Sequence, residues 1–502
     1  MKCISITTLI NACNVSSFFI VLVFMKTCAI DTMHSEEALD TYDQTMFNWT
    51  KTWAEIMNLV KEKHYHPKDP GKSMIKAMDT FLNTLDPHSN FLDPETYKNM
   101  IESTNGEFDG VGIMINNMRK TKDKFLTIVE IIQEGPAEKA GIKQYDKIVE
   151  INDKPLEGMT TEQATALLRG PKGSTVFLKI IREGTNDILS FTVKRDVIKE
   201  QQSLCFYIKH KDIYYLSLSM FAENSATQLE ELLKKVNQKK CKGLVLDLRN
   251  NSGGLLSSAL NIAGLFLDKD SIVVETRGKD PKTTEVYKTS RYPLANRTIP
   301  LVLLINNYTA SAAEILAGCL KVHAEKNQSK SPLLVFIVGT PTFGKGSVQE
   351  VIPVGQNSAI KLTTRLYFLP YNTTVQGVGI TPDITVERFL PPSEQITWLT
   401  ETYGHENTLE NYIETVDEKQ KNKRAKKQIS SKDSTKNRDD KIKQMLAQDN
   451  QLKEAINIVS LIVNAQKNLP DLIKNRTTAL AYVHANYATQ NAIDIIEVRL
   501  TK

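Results

Sequence analysis

The sequence predicts a multi-domain α+β protein: an α/β core in which strands and helices alternate, an inserted domain of short strands, and helical regions at both ends. Three observations predict it. Apolar runs of strand length at Gly243–Leu248, Val302–Ile305 and Leu333–Val338 each stop at a polar or glycine-rich turn, and helix-like periodicity follows the first two. From Gly106 to Arg195 the apolar runs are short and punctuated by turn residues. Near both ends, apolar residues recur at helical spacing. A length of 502 residues is enough for about three domains, and 41% hydrophobic content is ample for their cores. The net charge of +5 is small for this length and supports no nucleic-acid partner.

Residues 1–29 read as an export signal. Lys2 supplies the positive start, Ser17–Met25 the apolar core, and Thr27-Cys28-Ala29 a small-x-small cleavage site. The apolar core is too short for a spanning helix, which needs about 20 residues; an uncleaved anchor over Leu9–Met25 and a lipid-bearing Cys28 are the alternatives. Three cysteines, Cys205, Cys241 and Cys319, remain beyond this segment. An odd, widely spaced set is neither a disulfide framework nor a metal motif, and Cys319 reads as a core thiol.

Residues 30–105 form the expected helical N-terminal region. Phe47, Trp53, Ile56, Met57 and Val60 share a helical face, His64-Tyr65-His66-Pro67 breaks it, and a second helix runs from Ser73 to Leu85. His64 and His66 lack a metal-ligand motif. His88 is a candidate for a Ser-His-Asp scheme, but Asp86-Pro87 gives it a turn context. The inserted domain, residues 106–196, has strands at Phe125–Glu130 and Asp146–Asn152, a short helix in Gly135–Gly141 and a longer one at Thr160–Leu168.

The core, residues 197–390, carries the chemistry. Ile213–Leu218 alternates as a strand, Ala226–Val236 is amphipathic, and Leu255–Leu267 is helical. In Val302–Ile315 a strand stops at Asn306-Asn307 and a helix starts at Ser311. Such a turn exposes a side chain beside free backbone N–H groups, so Ser311 is the first candidate nucleophile. Ser311 followed by Glu314 also spells a capping box, the structural alternative. A serine hydroxyl needs a base. Lys345, flanked by Gly344 and Gly346 after a buried-type strand, can serve if burial without a carboxylate partner disfavours its ammonium form, a difference of roughly 4 kcal/mol. Gln349 follows within reach to orient the amine. The glycine turn after Gly243–Leu248 offers amides that, with that of Ala312, would form an oxyanion hole.

Leu246-Asp-Leu-Arg-Asn-Asn-Ser-Gly-Gly254, Asn306-Asn-Tyr-Thr-Ala-Ser-Ala-Ala-Glu-Ile315 and Gly339-Thr-Pro-Thr-Phe-Gly-Lys-Gly-Ser-Val-Gln349 occur in this order. Together they resemble the C-terminal processing (tail-specific) serine peptidases, over roughly Asp79 to Glu387. The resemblance implies a ClpP/crotonase-like protease core with an inserted PDZ domain. It makes Ser311 the nucleophile, Lys345 the general base, Gln349 the residue orienting it, and Gly253 or Gly254 with Ala312 the oxyanion donors. Phe108–Ile115 resembles the PDZ carboxylate-binding loop, with the amides of Val111, Gly112 and Ile113 receiving a peptide's terminal carboxylate while the peptide adds a strand to an exposed edge. Arg169 matches a family arginine at the junction of PDZ and protease. Ala313 stands where a second serine is usual, and Glu325–Ser331 is a polar insert. Ile360–Tyr367 and Gly377–Ile384 resemble the family's closing strands, with Asp383 structural.

From Pro391 onward the composition changes. Residues 391–442 read as a flexible charged linker, lysine-dense from Lys419 to Lys441, with peripheral contact to anionic lipid as the alternative to a plain tether. Residues 443–502 form a helical C-terminal region in which Met445–Ala465 is a docking or dimer helix. Two rival functions are weighed. Gly339–Gly346 nearly spells a phosphate-binding loop, but the hydroxyl residue required after the lysine is Gly346 and a strand-like run follows. A catalytically inactive PDZ adaptor would not need Ser311, Lys345 and Gln349 together. The expectation is an exported serine endopeptidase acting on proteins or peptides with free C-termini, without metal or cofactor. Asn250-Asn-Ser252 and Asn307-Tyr-Thr309 would place glycans in the proposed site, so a bacterial periplasm or cell envelope fits better than a eukaryotic secretory route.

Overall fold

The computed structural model describes residues 41, 43–66, 69–115, 125–132, 134–157, 159–184, 187–209, 211–239, 241–326, 333–389, 449–470 and 475–486. The export signal, the basic linker and most of the polar insert lie outside them. The chain divides into two units, Met1–Ala77 and Met78–Lys502. In the first, residues 43–63 are helical, and Phe47, Trp53, Ile56 and Val60 are exposed along that helix.

The core of the second unit is a six-stranded sheet. In chain order the core strands are β1 Ser203–Ile208, β2 Ile213–Leu218, β3 Gly243–Asp247, β4 Leu301–Ile305, β5 Val335–Gly339, β6 Ser347–Val354, β7 Ser358–Leu369 and β8 Ile384–Thr385. The main sheet runs β1-β2-β3-β4-β5-β8, antiparallel only between β1 and β2. All residues of β3, β4 and β5 are buried. A strand covered on both faces must be apolar throughout, which is why these runs are continuous rather than alternating.

The two faces pack separately. Leu246, Leu303 and Ile337 meet helices α1 Ser225–Asn237, α2 Leu256–Ala263 and α3 Ala312–Lys326, while Val245, Val302, Leu304 and Phe336 meet α4 Asn450–Asn468 and the helical stretch 476–486. The expected docking helix therefore docks on its own core. Gly243 permits it: a Cβ there would come within 2.1 Å of Val459 Cγ1. Residues 445–448 of the expected helix lie outside the described residues; α4 begins where Asp449 caps it by accepting from Leu452 N–H.

Two other expectations shift. The helix expected to reach Leu267 ends at Ala263, with Gly264 at its C-cap in right-handed conformation, and Leu265, Phe266 and Leu267 enter the core from the turn that follows. Of Gly377–Ile384 only Ile384 lies in a strand: Gly377 and Gly379 both have φ of 71°, and a Cβ on Gly379 would meet Thr342 O at 2.5 Å. β6 and β7 belong to a second sheet with Asn90–Leu92, Ile272–Gly278, Glu285–Lys288 and Thr373–Thr374.

The inserted strands form an antiparallel sheet of Ile113–Ile115, Leu126–Ile131, Lys147–Ile151, Thr175–Ile181 and Ile188–Lys194. Thr175–Ile181 buries every second residue, the signature of a sheet with one covered face. The helix Thr161–Leu168 starts with a complete capping box between Thr160 and Gln163.

Candidate active site

Ser311 is half-buried between β4 and α3, at φ 55°. A serine that merely caps a helix normally sits in the extended region. The left-handed conformation costs a non-glycine residue on the order of 1 kcal/mol and marks a strained turn. The carboxylate half of the capping box does form, with Ser311 N–H donating to Glu314 Oε2 at 2.8 Å.

Glu314 does more than cap. It is fully buried, and its carboxylate accepts from Thr342 Oγ1 at 2.5 Å, Gly344 N–H at 2.8 Å and Lys345 N–H at 2.9 Å as well. Because Ser311 and Lys345 donate to the same oxygen, their backbone nitrogens lie within roughly 6 Å of each other. Burial pushes the Glu314 carboxyl up to about 7, against the downward pull of these four hydrogen bonds.

Lys345 is half-buried, and its Nζ donates to Gln349 Oε1 at 2.6 Å. The glycines beside it allow close approach. A Cβ on Gly346 would sit 2.9 Å from Gln376 Cβ, and Gly344, at φ 95°, would meet Gly379 N at 3.1 Å. After Lys345 the chain enters β6 rather than a helix, so the phosphate-loop geometry is not formed. Gln349 Nε2 donates to Ser347 Oγ at 2.9 Å and Thr363 Oγ1 at 3.0 Å. Thr363 in turn donates to Asp86 Oδ1 at 3.0 Å. His88 meets this chain through its backbone, its N–H donating to Asp86 Oδ1 at 2.8 Å in the turn that Asp86-Pro87 begins.

The turn after β3 is stitched to the serine turn. Asn250 N–H donates to Asn306 Oδ1 at 2.9 Å, and Ala310 N–H donates to Asn251 O at 3.0 Å. Gly253 is buried, at φ 104°, where a Cβ would lie 2.9 Å from Ser311 Cβ and 3.0 Å from Ala312 N. Its N–H is taken by Asn251 Oδ1 at 2.9 Å. Gly254 is exposed and bridges Phe221 through its neighbours, Gly253 accepting from Phe221 N–H and Leu255 donating to Phe221 O, so its own N–H faces away from Phe221. Ala312, the first residue of α3, has an N–H without an intrahelical acceptor by helix geometry.

In the inserted domain Val111 and Gly112 are buried, Ile113 is half-buried at the start of the edge strand, and Gly112 has φ 75°. Arg169 turns toward the helix Pro94–Asn105: it lies 3.6 Å from Glu102 and donates to Asn99 at 3.5 Å, with its guanidinium 5.0 Å from the centre of the Phe108 ring.

Sequence reasoning read Glu314 only as a cap and did not assign Asp86 or Thr363. The signal for Glu314 was its acidic character inside an otherwise apolar helix start; nothing local marks Thr363. Cys319 is fully buried and burial raises its thiol, as a core thiol should.

Residues 212–386 match Peptidase family S41, and residues 100–181 match the PDZ domain. The carboxy-terminal-processing protease of Bartonella bacilliformis is 36% identical over 74% of this chain and 83% of its own. The carboxy-terminal processing protease CtpA of Bacillus subtilis is 31% identical over 76% and 79% respectively. The carboxyl-terminal-processing protease of Synechocystis is 33% identical over 71% and 80%. The chain thus belongs to peptidase family S41, among the carboxy-terminal processing serine proteases that carry a PDZ domain.

Proposed function

We propose that this serine protease works through Ser311 as nucleophile, Lys345 as general base and Gln349 as the residue that orients the amine. The observation that carries the reading is the shared carboxylate of Glu314, which ties the serine turn to the lysine turn, together with the Lys345 Nζ to Gln349 bond at 2.6 Å. The neutral amine takes the Ser311 proton as the hydroxyl attacks a peptide carbonyl. It returns that proton to the leaving amine, and water then hydrolyses the acyl-enzyme. We assign the oxyanion to the N–H groups of Ala312 and Gly254, because the N–H of Gly253 is already committed to Asn251. Gly253 instead supplies the close fit against Ser311.

The substrates are proteins or peptides with a free C-terminus. Val111, Gly112 and Ile113 receive the terminal carboxylate and the tail extends along the edge strand, with Arg169 at the junction with the helix that precedes the PDZ domain. Export to a bacterial periplasm or cell envelope rests on the N-terminal signal. No described helix is long and apolar enough to cross a membrane.

The test is digestion of an unfolded protein bearing either an apolar or a charged C-terminal tail. The wild type is expected to cleave the apolar-tailed form faster, and Ser311→Ala and Lys345→Ala to cleave neither. Equal rates on both tails would remove tail capture, and retained activity in Lys345→Ala would remove the base.

A further inference from the structure

The second face of the core sheet is completed by chain that returns after residue 448, and its first residues reach the loop beside the nucleophile. Arg249, the residue before the Asn250–Gly254 loop, is held between two carboxylates. On one side its Nε donates to Asp247 Oδ1 at 3.0 Å and its Nη2 to Asp247 Oδ2 at 2.6 Å. On the other, Nη1 donates to Asp449 Oδ1 at 2.9 Å and Nη2 to Asp449 Oδ2 at 2.7 Å, a bidentate pair. Nη1 also donates to Gln451 Oε1 at 3.0 Å, and Gln451 Nε2 donates to Val386 O at 2.7 Å. The three charged side chains are at most 15% exposed.

A buried guanidinium stripped of one carboxylate is left with an unmatched charge, so the group and its backbone must move. The backbone that would move runs straight into the amides assigned to the oxyanion. Burial pushes the Asp449 carboxyl up, and the Arg249 guanidinium more than offsets this, keeping it below its ordinary value. The same chain is anchored a second time, where Arg476 donates to Asp383 Oδ2 at 2.6 Å and to Val335 O at 2.7 Å, contacts that involve neither the serine turn nor the glycine loop.

We propose that Asp449 and Gln451 are positioning residues for the protease reaction: the C-terminal helix grips Arg249 and thereby fixes the Asn250–Gly254 loop in its oxyanion-binding form. The proposal rests on the serine protease reading above. It makes the C-terminal region part of the catalytic apparatus rather than an appendage, and a means by which displacement of α4 switches off turnover without touching Ser311 or Lys345.

The two anchors give the test. In the full chain, Asp449→Asn, Gln451→Leu and Asp383→Asn are compared with the wild type and Ser311→Ala for kcat and KM on a tailed unfolded substrate, and for the thermal unfolding midpoint. Asp449→Asn is expected to lower kcat tenfold or more with KM within twofold. Gln451→Leu should lower kcat severalfold, and it carries the test if Asp449→Asn fails to fold. Asp383→Asn is expected to lower the unfolding midpoint at least as much while kcat stays within twofold. Wild-type kcat in folded Asp449→Asn and Gln451→Leu, or an equal loss of kcat in Asp383→Asn, would overturn the proposal. A wild type that cleaves nothing would instead overturn the underlying protease reading.

Discussion

Ser311 and Lys345 share one acceptor atom: the backbone N–H of each donates to Oε2 of Glu314, at 2.8 and 2.9 Å. The turns of the proposed nucleophile and the proposed base are thereby referred to a single buried carboxylate, and a displacement of either strains the other. A dyad built from distant segments needs such a common anchor, because an error of about 1 Å in the reacting groups can cost on the order of a hundredfold in rate.

Replacing that carboxylate tests the anchor. Glu314→Gln presents an amide donor where two N–H groups or an N–H and a hydroxyl now donate, and we expect kcat to fall at least tenfold. The stability profile also changes. The folded carboxyl titrates near 7, above its ordinary value of 4.5. Between those values the folded state keeps a proton that the unfolded chain has released, so stability falls as pH rises through this window, by about 3 kcal/mol in all. Glutamine does not titrate. Urea unfolding from pH 4.5 to 8 should therefore show the wild type losing stability relative to Glu314→Gln as pH rises; parallel profiles would show that Glu314 keeps an ordinary titration.

The Asp86–Thr363–Gln349 chain makes a second prediction. Thr363 accepts from Gln349 Nε2 and donates to Asp86, fixing which end of the amide faces Lys345. Thr363→Val conserves volume and removes both bonds. We expect kcat to fall about tenfold with KM little changed, and steady-state kinetics on a tailed substrate will read the split. A change confined to KM would place Thr363 in substrate binding instead.

Gly253 provides a third. Its φ of 104° disfavours any side chain, and a Cβ would press on Ala310 O, Ser311 Cβ and Ala312 N at 2.9 to 3.0 Å. Gly253→Ala is expected to lose about 1–3 kcal/mol of stability and at least a hundredfold in kcat, because the strain falls on Ser311, the proposed nucleophile. Gly184, at φ 85° with nothing within 4 Å of an added Cβ, is the control: Gly184→Ala should show the backbone cost without the loss of turnover. Urea unfolding and kcat of both variants decide it.

Legibility in the sequence followed locality. The strand runs around Gly243, Val302 and Val335 could be read because burial on both faces demands uninterrupted apolar residues. The inserted domain's helix at Thr161–Leu168 could be read from the Thr160 cap. Ser311 and Lys345 stood out because each lies at a strand end or beside glycines, and Gln349 because it follows Lys345 by four residues. Where glycines dictated left-handed turns, as at Gly377 and Gly379, apolar content misled, and the expected strand shrank to Ile384–Thr385.

By itself the sequence determined the order of strands and helices, the inserted domain, and the residue types able to supply a nucleophile, a base and an oxyanion hole. These depend on periodicity and on short motifs, which are properties of neighbouring residues. Only the tertiary structure decided that Glu314 anchors the turns of both Ser311 and Lys345, that Asp86 and Thr363 hold the glutamine, and that the start of α4 grips Arg249. Those roles depend on which buried polar groups find partners, and the partners are distant in the chain: a buried donor or acceptor left unmatched costs about 1–3 kcal/mol, so folding pairs them across space in ways that no local pattern records.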